Sequence, residues 1–102
     1  MSYKVSILSD AEADIDNAYI WYESKQINLG NKFFKIISDS VNYISQNPFA
    51  SEDIYNGTRR FVIKKFPYGI YYKVNPEANE IQIIGVLHFK RSKRIIKRRH
   101  NI

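Results

Sequence analysis

Three short apolar runs between Arg59 and His88 constrain the fold more than any other part of the chain. The runs are rich in β-branched and aromatic residues, and they are separated at residues 66–69 (FPYG) and 75–79 (NPEAN). Runs of this kind, bounded by Pro, Gly and Asn, are typical of strands in hairpins. A parallel arrangement would need a crossover of a dozen residues or more, so the three strands are predicted to form an antiparallel meander.

A strand and a first helix are predicted ahead of the meander. Tyr3–Leu8 alternates apolar and polar residues, which indicates a short strand. Ser9 and Glu12 then fit a capping box, in which each side chain accepts a hydrogen bond from the other residue's backbone N–H. The helix is predicted to run to about Gln26. Its inward stripe is Ala11, Ile15, Ala18 and Tyr22, and we also expect Trp21 to pack in the core.

A second helix follows after a short connector and is predicted to extend from Leu29 to Gln46. Pro48 restricts the residue before it and cannot donate to a helix, so the helix should end there. The inward stripe is Phe33, Ile37, Val41 and Ile44. Residues 49–58 are predicted to be a loop that ends in the turn signal Asn56-Gly57.

The element order is therefore β-α-α-β-β-β in one α+β domain, residues 1–102, with a helical hairpin packed on a small antiparallel sheet. In the last strand, alternation places Ile81, Ile83, Gly85 and Leu87 on one face and Gln82, Ile84, Val86 and His88 on the other. Both faces are apolar. The hairpin can cover one of them, and the second needs either the basic C-terminal segment, residues 90–102, or another protein. That segment is expected to be a short helix or a frayed tail.

Composition excludes several classes of function. The chain has 102 residues, 44% of them hydrophobic, and no cysteine, which rules out disulfides and thiolate chemistry. Two histidines, His88 and His100, are too few for an ordinary zinc site, so we expect no metal. His100 is expected to be solvated. Without a signal peptide pattern or an apolar run of about 20 residues, the sequence predicts a cytoplasmic protein with no membrane contact.

The net charge of +6 is unevenly distributed along the chain. Residues 1–58 carry four basic and eight acidic residues, whereas residues 59–102 carry twelve basic and two acidic residues. Seven of those basic residues fall within residues 90–99. Such asymmetry indicates an anionic partner for the second half, either nucleic acid or an acidic protein segment.

The element order and several motifs resemble the RelE/ParE superfamily of toxins from bacterial type II toxin–antitoxin systems. The motifs are LSDAEADIDNAYIWY at the start of helix one, RRFVIKKFPYGIYYKV in the meander and IIGVLHFKR at the end of the last strand. The resemblance covers nearly the whole chain. It implies a cofactor-free toxin held inactive by a small, acidic, partly disordered antitoxin, alone or in a homodimer or a larger complex with that antitoxin.

The superfamily contains two branches, and the resemblance implies a different target for each. The RelE-like branch cleaves mRNA on the ribosome, whereas the ParE-like branch inhibits DNA gyrase. RNA cleavage needs a base, an acid and cations around one phosphate. The candidates for a metal-independent endoribonuclease are His88, Arg60, Lys64, Tyr71 and Arg91.

The sequence favours the ParE-like branch. Phe89 stands where the resemblance would place the Tyr of a catalytic His-Tyr pair, and the chain continues through a basic segment. We expect His88 to end the strand and hydrogen-bond to local backbone rather than move a proton. A third possibility is a non-toxic nucleic-acid-binding module, which would show salt-dependent binding to naked nucleic acid.

Two sets of binding residues follow from this interpretation. The residues expected to contact the target are Arg60, Lys64, Lys73, Arg91, Lys93, Arg94, Lys97 and Arg98. The residues expected to contact the antitoxin, on the open face of the last strand, are Ile84, Val86 and His88. The alternative is that Arg59, Arg60 and Lys64 lie on a solvated edge of the sheet, where basic residues discourage aggregation.

Overall fold

The computed structural model describes residues 2–99, which form five strands and three helices. In chain order they are β1 (Lys4–Ile7), α1 (Ser9–Lys25), α2 (Leu29–Gln46), β2 (Glu52–Tyr55), β3 (Thr58–Val62), β4 (Tyr68–Asn75), β5 (Glu80–His88) and α3 (Phe89–Arg99). No helix in this part of the chain is long and apolar enough to cross a membrane. His100, which was expected to be solvated, lies outside the described residues.

The five strands form one sheet in the order β1-β5-β4-β3-β2. The predicted meander is confirmed, because β3, β4 and β5 pair antiparallel with their neighbours. The sheet is mixed rather than wholly antiparallel, since β1 lies parallel to β5. The chain between β1 and β5, which contains both helices and the other three strands, supplies the long connection that a parallel pair requires.

The predicted loop at residues 49–58 contains an additional edge strand. β2 pairs antiparallel with β3 through a two-residue turn, Asn56-Gly57, in which both residues have positive φ. This turn conformation matches the twist of a hairpin, so the strong turn signal marks a hairpin rather than the end of a loop.

The helical hairpin of α1 and α2 packs on one face of the sheet as predicted. The shared core includes Ala11, Ile15 and Ala18 from α1 and Phe33, Ile37 and Ile44 from α2. Two details differ from expectation. Leu8 precedes the helix and no side chain caps it, because Ser9 already lies within the first turn; the predicted capping box does not form. Trp21 is 56% exposed, with the Lys25 Nζ 4.0 Å from its ring centre, instead of packing in the core.

A β-bulge in β5 changes which residues face which side of the sheet. Tyr71 pairs with Gly85 and Tyr72 with Ile83, so Ile84 is an extra residue in the ladder. Beyond the bulge the alternation is displaced by one position. Val86 therefore packs with Ile83 against the helical hairpin, and Leu87 joins Ile84 on the opposite face. The predicted division of these residues between the two faces is wrong from Gly85 onward.

The C-terminal segment is a helix through residue 99, and it covers the second face of the sheet. Ile96 of α3 packs with Tyr71, Ile84 and Leu87 in a second, smaller core. The sequence left open whether the C-terminal segment or another protein covers this face, and in the structure the C-terminal segment does so. Burial of this apolar stripe anchors the helix despite its high charge.

Candidate functional site

The most strongly charged surface of the described chain is the outer face of α3. The helix carries seven basic and no acidic residues, and its inward positions are Ser92 and Ile96. The predicted target-binding residues in this helix, namely Arg91, Lys93, Arg94, Lys97 and Arg98, are all exposed. Because the helix is packed on the sheet, these cations lie on one anchored surface rather than on a free tail. We call the exposed side of α3 the basic helix face.

The last described basic residue, Arg99, holds α3 to the rest of the fold. Its Nη1 donates to the Asp14 Oδ2 at 2.6 Å and to the Ile84 carbonyl oxygen at 3.0 Å. Asp14 Oδ2 also accepts from the Val86 N–H at 3.0 Å. The two side chains thus bind backbone groups of β5 beside the bulge.

The histidine candidate lies in a cleft between α1, the sheet and the start of α3. His88 Nδ1 accepts from the Lys90 N–H at 3.1 Å, which is the local backbone contact that the sequence favoured. Its ring packs edge-on to Tyr68, with ring centres 5.4 Å apart. The cleft has a volume of about 450 Å³ and is also lined by Tyr22 and Arg91.

The phenols in this cleft are poor proton acceptors. Burial raises the pKa of Tyr68 above its ordinary value; Arg91 opposes this effect and the Asp14 carboxylate adds to it. Burial, followed by the neighbouring Tyr68, likewise raises the pKa of Tyr22. Both hydroxyls are therefore protonated near neutral pH and offer hydrogen bonds rather than a general base.

Arg60 and Tyr71 lie on the other face of the sheet, under α3. They are direct partners across β3 and β4, and Tyr71 is fully buried. With Ile54, Tyr55, Lys93 and Ile96 they line a separate cavity of about 250 Å³. Lys73 lies two residues further along β4 and is half-buried.

The remaining candidate, Lys64, is exposed on the turn after β3. It lines a groove of about 560 Å³ between α2 and β3, with Tyr43, Phe61 and Val62. The three cavities share no lining residue. The five candidate catalytic residues are therefore divided among three places, and His88 and Tyr71 lie on opposite faces of the sheet.

One expectation about the sheet surface is wrong, and so is one of the alternatives. Ile84 and Val86 do not form an open face, because α3 buries Ile84 and the helical hairpin buries Val86. Arg59 and Arg60 do not lie on a sheet edge, because β2 occupies that position. Arg59 Nη1 donates to the Ser51 carbonyl oxygen at 2.6 Å, and Arg60 Nη2 contacts the Glu52 carboxylate at 3.4 Å.

Comparison with protein families matches residues 5–93 to the family described as ParE toxin of type II toxin–antitoxin system, parDE. The chain belongs to the ParE toxin family. This assignment agrees with the superfamily resemblance and with the favoured branch. The match ends at Lys93, within α3.

Solved structures show the same fold. The ParE-family chain superposes on a chain described as the chromosomal ParDE toxin–antitoxin system from P. aeruginosa, with a TM-score of 0.69 and 22% identity over 85% of this chain and 96% of that one. A second similar structure, the toxin–antitoxin complex RelBE2 from Mycobacterium tuberculosis, has a TM-score of 0.61 and 16% identity over 86% and 99% of the two chains. Comparison with curated proteins finds no match.

The Asp14–Arg99 contact was missed by sequence reasoning. The two residues are 85 positions apart and each belongs to a run of like charge, so neither stands out. The available signal was the position of Asp14, four residues before Ala18 on the edge of the inward stripe of α1, where a carboxylate approaches the sheet. Between Ser2 and Arg99, no group of three or more His, Asp or Glu side chains is arranged to hold a metal ion.

Proposed function

We propose that this ParE-family toxin acts by binding a protein target, DNA gyrase, rather than by cleaving RNA. The observation that carries the proposal is the division of the candidate catalytic residues among three separate cavities. Phosphodiester cleavage needs its acid, base and cations within hydrogen-bond reach of one phosphate. Binding to a protein needs only a fixed surface of suitable shape and charge. The basic helix face is fixed to the sheet and positively charged.

The experiment combines one assay of the purified toxin with one assay in cells that express it. Gyrase supercoiling of relaxed plasmid should be inhibited in a toxin-dependent manner, and the variant His88→Ala should inhibit as well as the parent chain. In the second assay, primer extension on cellular mRNA after induction should show no new ends. New mRNA ends that appear within minutes and disappear in His88→Ala would instead identify a ribosome-dependent endoribonuclease of the RelE-like branch.

We further propose that a cognate antitoxin neutralises this toxin by laying an acidic segment along the basic helix face. Two features support this: the charge of α3, and the toxin–antitoxin assemblies named for both similar structures. A disordered acidic segment would fold as it binds. Since Ile84 and Val86 are buried within the chain, the contact is assigned to the exposed side of α3 and to His88 at its start.

Hydrogen exchange tests the antitoxin proposal. The candidate antitoxin is the product of a neighbouring reading frame that meets the description of a small, acidic protein. It is added to the toxin, and amide protection is compared along the chain. Protection should increase in residues 89–99. If protection increased only in the helical hairpin, the antitoxin would bind elsewhere and this assignment would fail.

A further inference from the structure

Two neighbouring tyrosines in β4 have opposite hydrogen-bonding states. Both are fully buried, and they face opposite sides of the sheet. The Tyr72 hydroxyl donates to the Pro48 carbonyl oxygen at 2.9 Å. The Tyr71 hydroxyl has no hydrogen-bond partner among the described residues. A buried hydroxyl without a hydrogen-bond partner is unfavourable, so we expect a ligand or an ordered water to bind at this position.

A second donor beside Tyr71 is also unsatisfied. The Arg60 Nε is buried without a partner in the part of the chain described, while its Nη2 contacts the Glu52 carboxylate at 3.4 Å. Arg60 and Tyr71 are opposite each other in the β3–β4 ladder and line the same cavity of about 250 Å³. A guanidinium N–H can only donate, and a phenol beside it can donate as well. The missing partner is therefore an acceptor.

The charge around the cavity indicates an anionic acceptor. Lys93 and Lys97 of α3 line the cavity with Arg60, and no acidic residue does so in the part of the chain described. We propose that the cavity under α3 binds a single carboxylate, supplied by an acidic side chain of a protein partner. The carboxylate would accept from the Tyr71 hydroxyl and the Arg60 Nε, with Lys93 beside them.

Size and polarity favour a carboxylate over a nucleic-acid phosphate. The volume is below the range of about 300–1,000 Å³ that is usual for small-molecule sites, so it suits one side chain. Ile54 and Ile96 make part of the wall apolar, which fits the methylenes of an acidic side chain. The Arg60 guanidinium already contacts one carboxylate, that of Glu52, so a second carboxylate suits its remaining N–H group. Because the Tyr71 hydroxyl is covered, the ligand reaches it only when a long side chain such as that of Lys93 moves aside.

This inference depends on the proposed function only for the identity of the partner. The cavity itself is testable with the purified 102-residue chain and free anions, without gyrase or an antitoxin. Acetate and glutarate serve as carboxylate probes, and inorganic phosphate and a short oligoribonucleotide serve as phosphate probes. All are titrated at constant ionic strength with chloride as the balancing ion. Binding is followed by melting temperature and by NMR shifts of the tyrosine rings.

The matched variants are Tyr71→Phe and Tyr72→Phe. In chloride alone, Tyr71→Phe should melt at or above the temperature of the parent chain, because the change removes a buried hydroxyl without a partner. Tyr72→Phe should melt lower by about 4–8 °C, since it loses a hydrogen bond. With glutarate, the parent chain and Tyr72→Phe should both bind. Tyr71→Phe should bind about tenfold or more weakly.

Three results would overturn the inference. If neither class of anion shifts the melting temperature or the Tyr71 ring resonances, the cavity holds water only. If phosphate or the oligoribonucleotide binds at lower concentration than glutarate, the site is for nucleic acid. If Tyr71→Phe lowers stability as much as Tyr72→Phe does, the hydroxyl already has a partner. Each of these results would leave the gyrase assay unaffected, so failure of this inference is distinguishable from failure of the proposed function.

Discussion

Asp14 shows how one side chain joins parts of the chain that are distant in sequence. Its carboxylate contacts the Arg99 guanidinium of α3 and the Val86 N–H of β5. Asp14 and Arg99 side chains are only 13% and 16% exposed, so their charges are shielded from water much more than those of a surface ion pair. The contact therefore holds α1, α3 and β5 together, which the number of charges in the sequence does not reveal.

Asp14→Ala should destabilise the fold strongly. The change takes the closest carboxylate from a largely buried guanidinium, which keeps the Ile84 carbonyl oxygen and the Asp10 carboxylate at 3.8 Å, and it leaves the Val86 N–H without its acceptor. We therefore expect a loss of about 2–3 kcal/mol in the free energy of unfolding. Urea denaturation measures this loss. Asp16→Ala is the matched control, because Asp16 is an exposed carboxylate of the same helix, and it should change stability by less than about 0.5 kcal/mol. Equal losses for the two variants would show that the Asp14 contacts contribute nothing.

Gly30 is required by the close approach of the two helices. A Cβ at this position would lie 2.7 Å from the Tyr19 carbonyl oxygen. In addition, the Gly30 N–H donates to the Glu23 carboxylate at 3.0 Å, which fixes the turn. Gly30→Ala should therefore destabilise the chain by about 1 kcal/mol or more, because overpacking outweighs the gain in helix propensity. Thermal melting would test this against Lys32→Ala, an exposed change in the same helical turn; a Gly30→Ala chain with raised Tm would contradict the predicted clash.

At the scale of elements, the fold depends on two separate packing layers. The helical hairpin covers one face of the sheet and α3 covers the other. The bulge at Ile84 makes both layers possible, because it places Val86 in the first and Leu87 in the second. A chain of this length has few other apolar contacts with which to compensate for the loss of either layer.

Ile37→Asp should prevent folding. Ile37 is 2% exposed in the core between α2 and the sheet, and an unpaired carboxylate there would cost more than a small domain can lose. Circular dichroism and solubility measure the outcome. Ser38→Asp introduces the same charge at the next, exposed residue of α2 and should remain folded. A soluble Ile37→Asp protein with an unchanged melting temperature would mean that this packing layer is wrongly placed.

At the scale of the whole molecule, charge is separated in space as well as in sequence. The acidic residues are concentrated before β3, whereas α3 alone carries seven cations on a helix fixed to the sheet. Such a separation steers an anionic partner towards one face and weakens as ionic strength rises. The second half of α3 lies beyond the part of the chain that matches the ParE family.

Under the proposed function, neutralising the basic helix face should weaken gyrase inhibition. Changing Lys93, Arg94, Lys97 and Arg98 to Gln lowers the net charge from +6 to +2, and we expect the inhibitory concentration to rise about tenfold or more at low salt. The control changes Lys4, Lys25, Lys32 and Lys35 to Gln, which gives the same net charge from exposed positions outside α3. The control should inhibit like the parent chain. Equal loss in both variants would mean that net charge, not the basic helix face, governs binding.

The sequence by itself determined the order and type of most elements, because local patterns specify them. Apolar periodicity defined α1 and α2, Pro48 ended α2, and short turns required β3, β4 and β5 to pair antiparallel. Motifs spread over the whole chain were sufficient to place it in the superfamily that the comparisons confirm. The concentration of positive charge in residues 90–99 was also visible without a structure.

Tertiary structure decided what depends on contacts between distant residues. The bulge at Ile84 arises from pairing with β4 and is held by Asp14 and Arg99, so strict alternation assigned Val86 and Leu87 to the wrong faces. Docking of α3 buried the face that the sequence left open, and β2 turned a predicted edge into an interior strand. The division of the catalytic candidates among three cavities likewise follows from the tertiary structure, because each cavity lies beside a different helix: α1 for His88, α2 for Lys64 and α3 for Tyr71. A pattern of residues states only their spacing along the chain, whereas a site requires that they converge in space.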